Sequence, residues 1–286
     1  MIEKLENEYS RYWWSRDEES LFHEAMKDPF KNIVFTLLSQ NTSSENTRRA
    51  YLGLIRKLKV TPQCLVEADE KKISEAIRPG GLHRVKAGRI KEIAKEVLSE
   101  YDGDLSWVYR EPKEVVREKI MRLPGVGDKT ADVLISSIHG HREAMVVDTH
   151  MRRIAVRLGL VEKNAPYQEV QKALTDFFPW NSIPKGKEER TVGLFWMLAK
   201  HTCAARASKC DKCLLAGICE KRRYDRHVPH VANTGKFKKV NSQRNDHTSS
   251  SHRVNKSNLT SSPAHDLGRA FTVFTFKQRR RKERYR

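Results

Sequence analysis

Leu123-Pro124-Gly125-Val126-Gly127-Asp128-Lys129-Thr130 is the stretch on which the reading of this chain turns. A helical pattern over residues 113–122 runs into Pro124, and a second begins near Lys129, so the two glycines lie in a short turn between helices. Gly125 and Gly127 are both able to adopt positive φ, and neither carries a side chain. A phosphate can therefore approach the backbone N–H groups at the start of the second helix, where the macrodipole also favours an anion. Backbone amides contact any nucleotide sequence alike. The plain alternative is a helix–turn–helix connection in which glycine serves geometry only.

Outward from this turn the period stays helical. Apolar residues recur three and four apart, as in Ile33, Leu37, Leu38 and then Ala50, Leu52, Leu54, Ile55, which is the spacing of amphipathic helices. Alternating β-branched runs are almost absent, and residues 144–147 read as loop. Pro79, Gly80 and Gly81 break one helix, residues 102–104 another, and Pro112 suits a first helical turn. The expected fold class is all-α from Ile2 to about Glu220. After Arg226, Asn, Ser, His, Thr and Lys dominate, so residues 221–286 read as a disordered basic tail. An apolar segment at residues 270–276 is a candidate docking element.

The 286 residues carry 55 Lys and Arg against 36 Asp and Glu, a formal charge of +19, which points to a polyanionic partner. Residues 221–286 hold 18 of those bases against 4 acids, so net +14 belongs to the tail. No run of about eighteen apolar residues exists, and the polar start lacks a signal-peptide core. A cytoplasmic protein, with no membrane partner, is expected. Four of five cysteines, Cys203, Cys210, Cys213 and Cys219, crowd into one loop, which in a reducing compartment indicates metal or cluster ligation. Cys64 reads as a small buried apolar side chain. Structural zinc prefers two short knuckles, and only Cys210 and Cys213 fit one; iron–sulfur clusters accept varied spacing. Chemistry alone leaves both open.

Lys129 opens the helix after the turn. As an ammonium it would contact phosphate; as a nucleophile it must be neutral, which takes burial or cationic neighbours. Asp148, in Val146-Val147-Asp148-Thr149-His150, precedes a helical pattern that ends at Gly159. It reads as an N-cap, and a carboxylate held there can also stabilise positive charge on a sugar or move a proton.

With these motifs in place, the chain resembles the helix-hairpin-helix base-excision DNA glycosylases, and the endonuclease III family in particular, over about residues 20–220. The resemblance implies two helical lobes flanking a DNA-binding groove, residues 21–141 and residues 1–20 with 142–220. Within it, Lys129 attacks the sugar C1′, Asp148 assists, and Cys203, Cys210, Cys213 and Cys219 bind a [4Fe-4S] cluster. Gln40 fills the space of an extruded base and Leu82 is an apolar wedge. Gly125, Val126, Gly127 and Thr130 meet the backbone, with Arg206 and Lys209 in the cysteine loop. The implied activity is a bifunctional glycosylase and abasic-site lyase, a monomer acting on oxidised pyrimidines of the thymine glycol type in double-stranded DNA. The mismatch adenine relatives lack the lysine. Two alternatives stand beside it: a monofunctional glycosylase for uracil, mismatched thymine or adenine, and a non-catalytic DNA-binding module. Asp132, where close relatives often carry Asn, and Asp128 beside the lysine depart from the family pattern.

Overall fold

The computed structural model describes residues 2–13 and 15–227, and they are helical with no strand among them. The first helices are α1 (Ile2–Tyr9), α2 (Arg16–Lys27), α3 (Pro29–Leu38), α4 (Ser44–Lys57), α5 (Pro62–Glu67), α6 (Glu70–Ala76) and α7 (His83–Tyr101). They are followed by α8 (Lys113–Ile120), α9 (Asp128–His139), α10 (Thr149–Leu158), α11 (Tyr167–Phe177), α12 (Glu188–His201) and α13 (Glu220–His227).

Local chemistry sets many of the boundaries. Asp28 caps α3 by accepting from Lys31 N at 2.8 Å, and Pro29 occupies the first turn. Ser43 caps α4, Thr61 α5 and Asp69 α6 in the same way. α7 ends where Asp102 and Gly103 both turn left-handed, with φ of 51° and 78°. α8 stops two residues short of the expected end. Arg122 N and Leu123 N bond instead to carbonyls three residues back, at 3.2 and 3.1 Å, because Pro124 disfavours the helical region for the residue before it.

Two hydrophobic cores form. The first gathers Ile33, Leu38, Tyr51, Leu54, Ile73, Ile90 and Leu134 from α3 to α9 and includes Ala25 and Met26 of α2. The second gathers Leu5 and Tyr9 of α1 with Met145, Ile154, Val170, Leu174, Phe195 and Leu198. The chain passes from one to the other between Ala144 and Met145. α1 joins the second core by lying on α12, and the Tyr9 hydroxyl reaches Thr202 Oγ1 at 2.7 Å.

The tail expectation needs correcting at its start. Residues 220–227 form α13, which packs on α10. Gly159, with φ +78°, ends α10 and leaves room for the Glu220 carboxylate, which would stand 2.1 Å from a Cβ there. Composition averaged over the whole tail hides this short docked helix. The rest of the predicted tail, with the segment at 270–276, lies outside the described residues. Cys64 is half-buried rather than buried.

Candidate active site

The hairpin between α8 and α9 buries Leu123 and Val126 in the first core. Gly125 has φ +73°, a conformation that calls for glycine, and a Cβ there would also press on the Arg89 side chain, 3.0 Å from its Cδ. Gly127 departs from the expectation: its backbone is extended, with φ −109°, and it caps α9 without a side chain. Nothing lies within 4 Å of where its Cβ would be, which leaves the N–H groups of the first turn approachable. The side chains of Val126 and Thr130, named as DNA contacts, are buried. Both point into packed protein, and the Val126 N–H already donates to Leu123 O at 3.1 Å, so of the two only Thr130, in the first turn of α9, has a backbone N–H to offer.

Gln40, Lys129 and Asp148 line one cleft of about 1850 Å³. Gln40 follows the end of α3, with its N–H on Leu37 O at 3.1 Å, and the next residue, Asn41, is left-handed at φ 54°. Lys129 lies in the first turn of α9 and is half-buried. Asp148 caps α10: its Oδ1 accepts from the N–H groups of His150 and Met151, both at 2.8 Å. Its other oxygen, Oδ2, accepts from the Trp196 indole Nε1 at 2.6 Å, so the cap and an oriented carboxylate coexist.

The same wall holds residues that no spacing signalled. Lys200 Nζ stands 4.7 Å from the Trp196 ring centre; burial pushes its amine below the ordinary lysine value, and Asp148 opposes that shift. His150 packs edge-on against Trp196 at 5.5 Å and is lowered by burial. One turn further along α9, buried Asp132 takes the Arg117 guanidinium, the Tyr167 hydroxyl at 2.6 Å and Gln171 Nε2 at 2.7 Å. Arg117 also pairs with Asp128. Both acidic departures near Lys129 thus have a shared cationic partner.

Leu82 does not line the cleft. It precedes α7 in a left-handed conformation with φ 48° and is 58% exposed, and Val85 one turn on is 67% exposed. Buried Lys86 donates to Leu38 O at 2.8 Å and Gly80 O at 2.9 Å. It therefore ties the backbone just before Gln40 to the backbone just before Leu82. Arg206 and Lys209 are exposed on the cysteine loop.

Cys203, Cys210, Cys213 and Cys219 line a single small cavity with Arg157, Thr202 and Arg222. Arg157 donates to Cys203 Sγ at 3.3 Å and to the Ala204 carbonyl at 2.8 Å. Burial pushes the Cys213 and Cys219 thiols up. Among the described residues no three His, Cys, Asp or Glu side chains stand as a group that could hold a single metal ion.

Three comparisons bear on this geometry. The family model described as "HhH-GPD superfamily base excision DNA repair protein" matches residues 34–179. Endonuclease III of Thermotoga maritima is 32% identical over 223 residues, spanning 77% of this chain and 92% of the relative. Among solved structures, a trapped endonuclease III–DNA covalent intermediate is 24% identical with a TM-score of 0.60, covering 79% of this chain and 95% of that one. A thermostable thymine-DNA glycosylase is 21% identical with a TM-score of 0.56, covering 73% and 98%.

Proposed function

Because this chain belongs to the HhH-GPD superfamily of base excision DNA repair proteins, and is a DNA glycosylase of that family, we propose that it is a bifunctional one. It removes oxidised pyrimidines, of the thymine glycol type, from duplex DNA and cleaves the strand at the resulting abasic site. The observation that carries this reading is that Lys129 and Asp148, on helices from separate cores, line the same cleft.

The chemistry follows from those two groups. A nucleotide must leave the stack before any side chain can reach its sugar. The Lys129 amine, in its neutral form, adds to C1′; the glycosidic bond breaks, and its electron pair leaves with the base, which takes up a proton. The sugar ring opens to an iminium on Nζ. Loss of a C2′ proton then expels the 3′ phosphate, and water hydrolyses the imine to return the lysine. The Asp148 carboxylate, held by three hydrogen bonds, stabilises the positive charge that develops at the sugar without having to reorganise. Gln40 at the cleft and exposed Leu82 support the opened duplex. The hairpin N–H groups, Arg206 and Lys209 hold phosphates.

We assign the four cysteines to a [4Fe-4S] cluster. The donor set fits: four thiols share one cavity lined by no carboxylate, and the cavity brings the Arg157 and Arg222 side chains toward the negative charge of a thiolate-ligated group. Such a cluster supplies rigidity, tying the end of α12 to α13. The protein acts as a monomer in a reducing compartment, the cytoplasm or a nucleus. Among the described residues no helix is long and apolar enough to cross a membrane.

Borohydride trapping on duplex DNA containing thymine glycol tests the reading. A covalent complex is expected from the native chain and none from Lys129→Gln. Base release without trapping in the native chain would replace it with a monofunctional glycosylase.

A further inference from the structure

Lys129 and Asp148 belong to different cores, and the connection between them, residues 140–148, contains no helix. Helical hydrogen bonds therefore do not fix where Asp148 sits relative to Lys129. Glu143 and Ala144 N–H turn back onto Gly140 O within the connection, but the backbone groups nearer Asp148 need partners elsewhere, and α11 provides two. Val147 N–H, immediately before Asp148, donates to the Tyr167 hydroxyl at 3.2 Å. Met145 O accepts from Gln171 Nε2 at 2.9 Å.

The same two side chains reach the helix that carries Lys129. Tyr167 donates its hydroxyl proton to Asp132 Oδ2 at 2.6 Å, and Gln171 Nε2 donates to that oxygen at 2.7 Å. Asp132 is one helical turn beyond Lys129 and is 1% exposed. We propose that Tyr167, Gln171 and Asp132 are positioning residues that set the spacing between Lys129 and Asp148, an inference that rests on the reading of those two residues given above.

The donor and acceptor inventory explains why an acid stands at position 132. Its three partners, Arg117, Tyr167 and Gln171, are all donors, and a carboxylate accepts from every one of them. An amide there would turn its own NH₂ toward a donor. Burial and the Asp132 carboxylate push the Tyr167 phenol far up, so it remains a donor. Burial raises the Asp132 carboxyl as well, against the pull of its three partners; Asp128, which shares Arg117, is the remaining charged group on this side.

The test compares Tyr167→Phe and Asp132→Asn with Val170→Ala. Val170 is buried in the second core on the same helix but outside the strap that Tyr167, Gln171 and Asp132 form, and so controls for lost stability. Trapping rate and base release are followed under single-turnover conditions at a temperature where each variant is folded, beside affinity for duplex DNA carrying a reduced abasic site. Misplacement by about 1 Å costs up to about a hundredfold in rate. Tyr167→Phe and Asp132→Asn are expected to lose about tenfold or more in rate with affinity within about twofold of native. Val170→Ala keeps the native rate. Native rates in both strap variants, or losses matched by Val170→Ala, overturn the inference while leaving the lyase reading intact. A native chain that releases base without trapping overturns the lyase reading, and the strap is then judged on release rate. A native chain that does neither overturns both.

Discussion

Trp196→Phe isolates one bond of the site. The substitution keeps one aromatic ring near Lys200 and His150 and removes the indole N–H that Asp148 Oδ2 accepts at 2.6 Å, together with the rest of the second ring of a half-buried side chain. A hydrogen bond to a charged group contributes about 1.5–3 kcal/mol. Asp148 is only partly buried, so water recovers a share, leaving about 1–2 kcal/mol. The cap itself survives, because Oδ1 keeps both backbone donors. At about 2–4 °C per kcal/mol for a domain of this size, the melting temperature should fall by about 2–8 °C. The catalytic loss is separate: a carboxylate free to pivot about Oδ1 no longer faces the sugar in one orientation. A rate loss of about tenfold, equivalent to about 1.4 kcal/mol, is expected. Single-turnover cleavage of a preformed abasic site reads it without the base-extrusion step. A lowered melting temperature with an unchanged cleavage rate would refute the reasoning, since Trp196 would then only join α10 to α12.

Further outcomes follow from other parts of the molecule. Lys86→Met leaves Leu38 O and Gly80 O without their ammonium donor, and should cost about 3 kcal/mol in denaturant unfolding. It should also slow lesion removal from duplex more than from single-stranded DNA, because the Gln40 and Leu82 loops lose their shared tie. Leu82→Ser, at a 58% exposed position, should leave the melting temperature unchanged and reduce duplex activity selectively. His141 is held down to about 4 by burial, against 6.5 when free. The folded state then binds fewer protons than the unfolded one between those values, so stability is present above pH about 6.5 and is lost as pH falls toward 4. The loss is about 3 kcal/mol at most, and His141→Phe should flatten that slope in denaturant titrations at pH 4–7. Cys210→Ala should lower the iron bound per chain and the thermal stability together, while a variant at Cys64 does neither.

The fold was legible where one local rule sufficed. The helical period, the breaks at Gly80, Gly81 and Asp102, and the cap Asp148 each need only neighbours within one turn. The hairpin string was legible for the same reason, although it could not say that Gly127 would be extended while Gly125 is left-handed. The burial of the Val126 and Thr130 side chains was not legible either, because a motif marks its buried supports as strongly as its contact groups. What stayed hidden is what distant segments build together. Trp196 sits in the apolar run of α12, where one more aromatic residue looks like core, and its bond to Asp148 spans 48 positions. Asp132 was visible only as a departure from the relatives' Asn, and its three donors come from two other helices.

That departure bears on how substrate choice arises. With Val126 and Thr130 turned inward, the hairpin offers backbone N–H groups alone, and these read no base. On the proposed function, discrimination falls to the cleft, which Gln40 and His150 line together with Lys129. Because the cleft draws its walls from both cores, any shift between Lys129 and Asp148 alters the space offered to the extruded base along with the distance of attack. If Asp132 positions these residues as inferred above, a carboxylate there that keeps three donors satisfied constrains both rate and lesion range. Asp132→Asn should accordingly change the ratio of rates between thymine glycol and a smaller oxidised pyrimidine as well as slowing each; an unaltered ratio across such a pair would place lesion choice outside the reach of the strap.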